Sequence, residues 1–180
     1  MSTITLPQTG TWVFDPTHTQ IVVVARHMMV SKVRGSFKDF TGSILVGDTP
    51  ETSSVEVTID AAGIDTGTTD RDNHLRSPDF LDVAAYPTVT FKSTSVERDG
   101  SGFKVTGDLA IKGITKPITL DLEYGGLAVD PWGNEKAVFS AHGSFDREDW
   151  GLGWNVALET GGWLVSKEFK IEIEAQAVRA

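Results

Sequence analysis

Asp70–Ser93, DRDNHLRSPDFLDVAAYPTVTFKS, is the one stretch that interrupts a long succession of strand-like segments with something helical. Asp70 or Asp72 can cap a short helix, and Leu75 and Phe80 stand near helical spacing as apolar anchors. Pro78 cannot donate a backbone hydrogen bond, so it ends or restarts that helix. Tyr86–Pro87 then imposes an extended entry into a strand from Thr88 to Ser93. On either side the chain alternates with period two, the repeat of a strand with one face in a core. The stretch reads as a helical flap lying across a sheet or a barrel.

Downstream of the flap the alternation is clean. Phe103, Val105, Leu109 and Ile111 oppose Lys104, Thr106, Asp108 and Lys112, after a hairpin loop at Arg98–Gly102. Gly113 turns the chain into Ile118, Leu120, Leu122 and Tyr124, and residues 125–136 read as a longer surface loop. Phe139, Ala141 and Phe145 form the apolar face of the next segment. Phe169, Ile171, Ile173 and Ala175 form that of the last. Upstream, Val55, Val57 and Ile59 alternate with polar residues. Gly35 to Gly47 is extended, with Phe37 and Phe40 out of phase across an expected bulge. Residues 28–35, MMVSKVRG, read as a connector with room for one helical turn. Trp12–Asp15 and Thr17–His27 are strands about a kink at Pro16. Val22 and Val24 give the second of these an apolar group on both faces, which predicts cover on both sides.

These segments predict an all-β protein, an eight-stranded antiparallel lipocalin-like barrel with a short helical segment packed against it. A barrel of eight strands has an interior filled by side chains or just wide enough for one small ligand. A membrane barrel would need its apolar faces outside. The charged faces here belong in water, so the lumen is apolar.

Composition narrows the function. Net charge is −9 and the isoelectric point about 4.8, with no run of Lys or Arg, which disfavours nucleic acid and anionic membrane surfaces as partners. Cysteine is absent, so there are no disulfides and no thiol chemistry. The opening MSTITLPQTG lacks the basic and apolar regions of a secretory signal, and no window approaches about 18 consecutive apolar residues, which together predict a cytoplasmic protein.

Motifs for chemistry are weak. No Gly-x-Ser-x-Gly elbow and no phosphate-binding loop occur. Asp70, Asp72 and His74 have a spacing that splits them between helix faces, so no metal is expected there. His142 falls on a polar face as a solvated residue. His27, on an apolar face, is a satisfied core histidine or the one polar anchor of an apolar cavity. Asp146–Gly151 reads as a tight loop with an exposed Arg147–carboxylate pair, or as a gate in which Trp150 and Trp154 close a tunnel mouth.

Taken together, the motifs resemble the YceI-like family of polyisoprenoid- or lipid-binding proteins over Trp12 to Ala177. Similar elements are Trp12…Asp15…His18-Thr19, Arg26-His27, Val33-Arg34-Gly35-Ser36-Phe37 and Arg71-Asp72…His74-Leu75…Ser77-Pro78-Asp79-Phe80…Asp82…Tyr86-Pro87. Gly107-Asp108-Leu109…Ile111-Lys112-Gly113 and Arg147-Glu148-Asp149-Trp150-Gly151 follow. The resemblance implies one barrel domain, 12–180, behind an N-terminal tail, 1–11. It also implies an elongated cavity for a long-chain isoprenoid, quinone-like or fatty-acyl amphiphile, a tendency to homodimers, no catalytic residues and no cofactor other than a bound lipid.

The expectation is therefore a protein that sequesters one small hydrophobic ligand without chemistry. Its expected lining is Ile21, Val23, His27, Leu75, Phe80, Phe91, Phe103, Leu109, Leu120, Phe139, Trp150, Trp154, Phe169 and Ile171. The alternatives are an enzyme acting on a hydrophobic substrate in the same cavity, with His27 or Asp72 as general acid or base, and a structural protein whose barrel is filled by its own side chains.

Overall fold

The computed structural model describes residues 6–180, so residues 1–5 of the expected N-terminal tail lie outside the described residues. The strands are β1 (Gly10–Phe14), β2 (Gln20–His27), β3 (Ser31–Phe37), β4 (Phe40–Val46), β5 (Ser54–Asp60) and β6 (Ile64–Asp65). Helix α1 (Thr69–Arg76) comes next, followed by β7 (Thr88–Asp99), β8 (Gly102–Ile111), β9 (Ile114–Val129), β10 (Glu135–Asp146) and β11 (Glu168–Arg179). Sheet pairing begins two residues before the expected domain boundary at Trp12, since Gly10 and Thr11 already face Val46 and Leu45.

Six of these strands are halves of three bent staves. Strands β1 and β2 both pair with β11, at residues 177–179 and 170–174, on either side of Pro16. Next to them, β4 pairs with β1 and β3 with β2. Then β5 pairs with β4 and β6 with β3. With β7 to β11 joined in sequence and β5 against β7, the staves close an eight-stranded antiparallel barrel. The bends have local causes. Asp60 accepts from the Ala62 amide at 3.0 Å to start a single 3-10 turn, and its own amide donates to Asp39 O at 2.8 Å, clamping two staves where both bend.

The out-of-phase phenylalanines fall at such a bend. Phe37 closes β3 and Phe40 opens β4, and both face the interior. A register shift between Ser93 and Ser95 does the same in β7, bringing Phe91 and Val96 inward despite their odd spacing.

Three local expectations are corrected. Residues 28–35 are not a connector with a helical turn; three residues, Met28–Val30, join β2 to β3, with Met28 and Met29 the central pair of a turn in which Val30 N donates to His27 O at 3.1 Å. Both methionines have positive φ (54° and 62°), the left-handed conformation a primed hairpin turn demands. The long loop expected over 125–136 is mostly sheet, because β9 and β10 leave only residues 130–134 between them. The cap of α1 is Thr68, so Asp70 and Asp72 lie inside the first turn, where their charge favours the helix N-terminus. On the outer face of β2, Val24 is buried, in line with the expected cover on both sides, and its cross-strand neighbours are Arg34 and Lys170.

Candidate ligand cavity

The alternation that builds the barrel also decides what faces its bore. Each stave turns every second residue inward, and on β8, β9 and β11 those residues include Val105, Leu109, Ile118, Leu120, Leu122, Phe169, Ile171 and Ile173. They enclose a cavity of about 750 Å³, within the range of small-molecule sites. Of the fourteen candidate lining residues, thirteen border it: Ile21, Val23, His27, Leu75, Phe80, Phe91, Phe103, Leu109, Leu120, Phe139, Trp154, Phe169 and Ile171.

Trp150 does not. It is 2 % exposed, its indole Nε1 donates to Leu109 O at 2.9 Å, and its ring meets Phe145 edge-on at 5.2 Å. Trp150 is a core anchor that ties the segment after β10 to β8, and the gate reading fails for it. Trp154 does stand at the cavity end.

The α1 end of the bore is bordered by an aromatic cluster. His74 meets Trp154 at 4.4 Å and Phe80 at 5.2 Å, both edge-on, and Phe80 lies 5.6 Å from Trp154. His74 Nε2 is 2.9 Å from Asp79 Oδ2, which fixes the ring. The flap is fastened at several points. Arg76 donates to Ala62 O (2.8 Å) and Ile64 O (3.0 Å), Lys112 Nζ donates to Pro78 O (2.7 Å), and the buried Asp72 carboxylate accepts from the Thr66 amide (2.9 Å) and hydroxyl (2.6 Å). Asp72 and His74 are thus engaged separately, and no cluster of three or more His, Asp or Glu able to hold a metal occurs among the described residues.

Opposite the flap, residues 151–167 wrap the same end with little regular structure, and Arg147 organises them. The sequence reading made Arg147 half of an exposed ion pair; instead it is fully buried and bonds to backbone. Its guanidinium donates to the carbonyls of Ser166 (2.8 Å), Trp154 (3.0 Å), Val165 (3.4 Å) and Leu152, with no carboxylate in salt-bridge range among the described residues. The Phe80 and Phe169 rings flank it at 5.9 and 5.8 Å. Burial lowers the Arg147 pKa from its ordinary value, yet arginine retains its proton in proteins. A planar fork of five donors can gather four carbonyls at once, which lysine cannot.

Polar lining residues collect at the ends. At the α1 end are Arg26, His27, Asp70, Arg71 and His74. At the other end are Thr9, Asp48, Thr49 and Ser53, beside Leu6 and Pro7 from the segment before β1. The sequence reading missed Arg26 and Arg71, whose role depends on which loops fold over the mouth. It placed Tyr124 on the correct face without singling it out. Tyr124 is 6 % exposed, packs on Phe139 at 5.2 Å, and burial, then the Glu135 charge, raises its pKa.

The outer surface is ordinary for a barrel in water. Lys104 and Asp121 pair across strands at 2.7 Å, and His142 is exposed near Asp121, as its position predicts. No helix among the described residues is long and apolar enough to cross a membrane.

Comparison with known proteins places this geometry. The model of the YceI-like domain matches residues 12–177. Protein YceI of Escherichia coli O6:H1 is 44 % identical over 155 residues, covering 86 % of this chain and 78 % of that protein. Among solved structures, the Campylobacter jejuni YCEI protein superposes with a TM-score of 0.73 at 34 % identity, over 86 % of this chain and 90 % of that one. A polyisoprenoid-binding domain from Saccharophagus degradans shares the fold with a TM-score of 0.68 at 13 % identity, over 96 % of this chain and all of that one.

Proposed function

This chain belongs to the YceI-like domain family, and on that premise we propose that its barrel sequesters a single long-chain lipid, of polyisoprenoid, quinone-like or fatty-acyl type, without chemical conversion. The observation that carries the reading is the cavity of about 750 Å³, apolar along the bore and polar at its ends. The polyisoprenoid-binding domain with the same fold supports the choice of ligand class. The cavity's volume favours a carrier over a barrel filled by its own side chains.

Energetics agree with a chain-like guest. Each buried methylene contributes about 0.8 kcal/mol, so ten contribute about 8 kcal/mol. That matches a complex of roughly micromolar Kd before association costs are counted. The apolar bore supplies affinity, and the polar ends read the headgroup. At the α1 end, Arg26 and Arg71 suit an acidic headgroup with His27 beside it. An enzyme would need an acid–base pair free to reach substrate. His74, the lining histidine with a carboxylate partner, is held edge-on against Trp154 and Phe80, and that partner, Asp79, is exposed and outside the cavity lining.

Titration with a fluorescent long-chain fatty acid, followed by displacement with a long-chain polyprenol, tests the reading. Saturable binding at one probe per chain, reversed by the polyprenol, is the expected result. Probe emission that stays at its aqueous value throughout would reject it.

A further inference from the structure

We propose that the α1 end of the barrel carries a bilayer-docking face, in which the β2–β3 turn at Met28–Val30 and the adjoining residues 156–163 sink apolar side chains into an uncharged phospholipid surface. The proposal goes beyond the carrier reading, because docking needs no guest in the bore.

Met28, Met29 and Val30 are 50, 55 and 78 % exposed, and Val156 and Trp163 are each 47 % exposed. Two contacts join the segments that carry them. Met28 N donates to Leu164 O at 2.7 Å, and a methyl group at Gly162 would lie 3.2 Å from Met29 Cγ. None of the five borders the cavity, so a guest in the bore does not account for them. An exposed apolar cluster of this kind marks a protein or membrane contact. The backbone points the same way. Met28 and Met29 both hold positive φ, a conformation that suits Asn and Gly and disfavours long side chains. Strain of that sort collects at functional positions. Two large apolar side chains, kept in water on an unfavourable backbone, serve something other than the stability of the barrel.

Shape and charge select a bilayer as the occupant. The two segments present turn tips, not a groove, with Met28–Val30 beyond the His27–Ser31 pair and residues 158–162 beyond the Ala157–Trp163 bridge. Methionine adapts its shape to a soft surface, and tryptophan favours the membrane–water boundary. Arg26 and Lys32 are cross-strand partners behind the first tip, and neither enters an ion pair among the described residues. Arg26 stands two residues, about 7 Å, behind Met28. Apolar groups of surface-docked proteins enter by about 5–10 Å, which sets these cations among the lipid phosphates. Segments 26–32 and 155–166 hold one carboxylate, Glu159, whereas the chain as a whole has a net charge of −9 that opposes an anionic bilayer. The opposite end of the barrel also exposes a tip, at Val129 and Trp132, but there the carboxylates of Asp130 and Glu135 flank it and repel phosphate. His27, Leu164 and Val165, next to the docking residues in sequence, line the cavity, so the docked face adjoins the end of the bore.

Co-sedimentation of the full chain with sucrose-loaded phosphatidylcholine vesicles tests the proposal, with Met28→Asn/Met29→Gly and Trp132→Ser compared with the wild type. The methionine variant should partition about tenfold to hundredfold more weakly, the effect of leaving half of each of two methionine side chains in water. Its thermal midpoint should be no lower, and its titration with a fluorescent fatty acid, run without vesicles, should be unchanged. Those two readouts separate docking from folding and from the bore. Trp132→Ser should partition as the wild type does. Absence of wild-type partitioning, equal partitioning of the wild type and the methionine variant, or an equal loss in Trp132→Ser would overturn the proposal. A wild-type dimer that the methionine variant dissolves would also overturn it, by assigning the face to a second copy. Each of these results leaves the carrier reading standing. Failure of the fatty acid to bind the wild type would overturn that reading and not this one.

Discussion

Replacing Arg147 by Met keeps roughly the length of the side chain and removes its charge and all five donors. Three carbonyls then lose their side-chain partner, those of Leu152, Trp154 and Ser166, while Val165 O keeps the Asn155 Nδ2 donor at 2.8 Å; all lie in the segment that wraps the α1 end of the bore. A hydrogen bond to a charged group contributes roughly 1.5–3 kcal/mol, and an orphaned buried acceptor costs roughly 1–3 kcal/mol. Two effects reduce the sum. The variant no longer buries a guanidinium, whose desolvation costs several kcal/mol. The freed carbonyls can also turn to water by loosening the segment. A net loss of about 3–5 kcal/mol follows, which for a chain of this length lowers the thermal midpoint by roughly 6–20 °C. Hydrogen exchange should show the damage concentrated in residues 151–167, with β7 to β9 still protected below the midpoint. Arg147→Lys should not rescue, since a buried ammonium reaches fewer of the carbonyls. A midpoint within about 2 °C of wild type, together with unchanged exchange in 151–167, would refute this account of Arg147.

Three further predictions concern the turn, the first bend and the mouth. Met28→Asn with Met29→Gly should raise the thermal midpoint, since each left-handed non-glycine residue costs roughly 1–2 kcal/mol and Asn-Gly suits a primed turn; a lower midpoint would mean the methionine side chains stabilise by packing. Asp15 accepts from Lys136, Thr17 and His18, and these partners hold its carboxyl well below the usual carboxylate range. Its contribution is therefore complete above about pH 5 and is lost progressively as pH falls toward the depressed folded value, so Asp15→Asn should destabilise by about 1–3 kcal/mol at pH 7 and by progressively less between about pH 5 and pH 2; urea melts whose difference is independent of pH would contradict this. His27→Leu should weaken a long-chain fatty acid about tenfold and spare an alkane of equal length, with competition titrations as the readout; equal losses for both would remove His27 from headgroup recognition.

Much of the fold was legible because period two is a strong signal when one face of every stave meets an apolar bore. The lining positions on β8, β9 and β11 follow from that parity alone, and the flap was marked by a break in it. What escaped depends on contacts between distant residues. Arg147 looks like any charged loop residue, and only the closing of residues 152–166 around it turns a solvated cation into a buried hub. Trp150 and Trp154 are near neighbours in the sequence, yet one is sealed against Leu109 and the other faces the cavity, because the turn between them reverses the chain. The hairpin at Met28–Met29 was hidden because its residues are among the least suited to positive φ. The unpartnered hydroxyl of Tyr124 has no signature at all in a face that reads Ile-x-Leu-x-Leu-x-Tyr.

Native mass spectrometry of the protein purified from its own host, followed by solvent extraction and lipid analysis, tests the central claim most directly. One adduct per chain, of defined mass and released by organic solvent as a long-chain lipid, is the predicted result. An unadorned mass, together with failure of long-chain isoprenoids, alcohols and fatty acids to bind on titration, would contradict it.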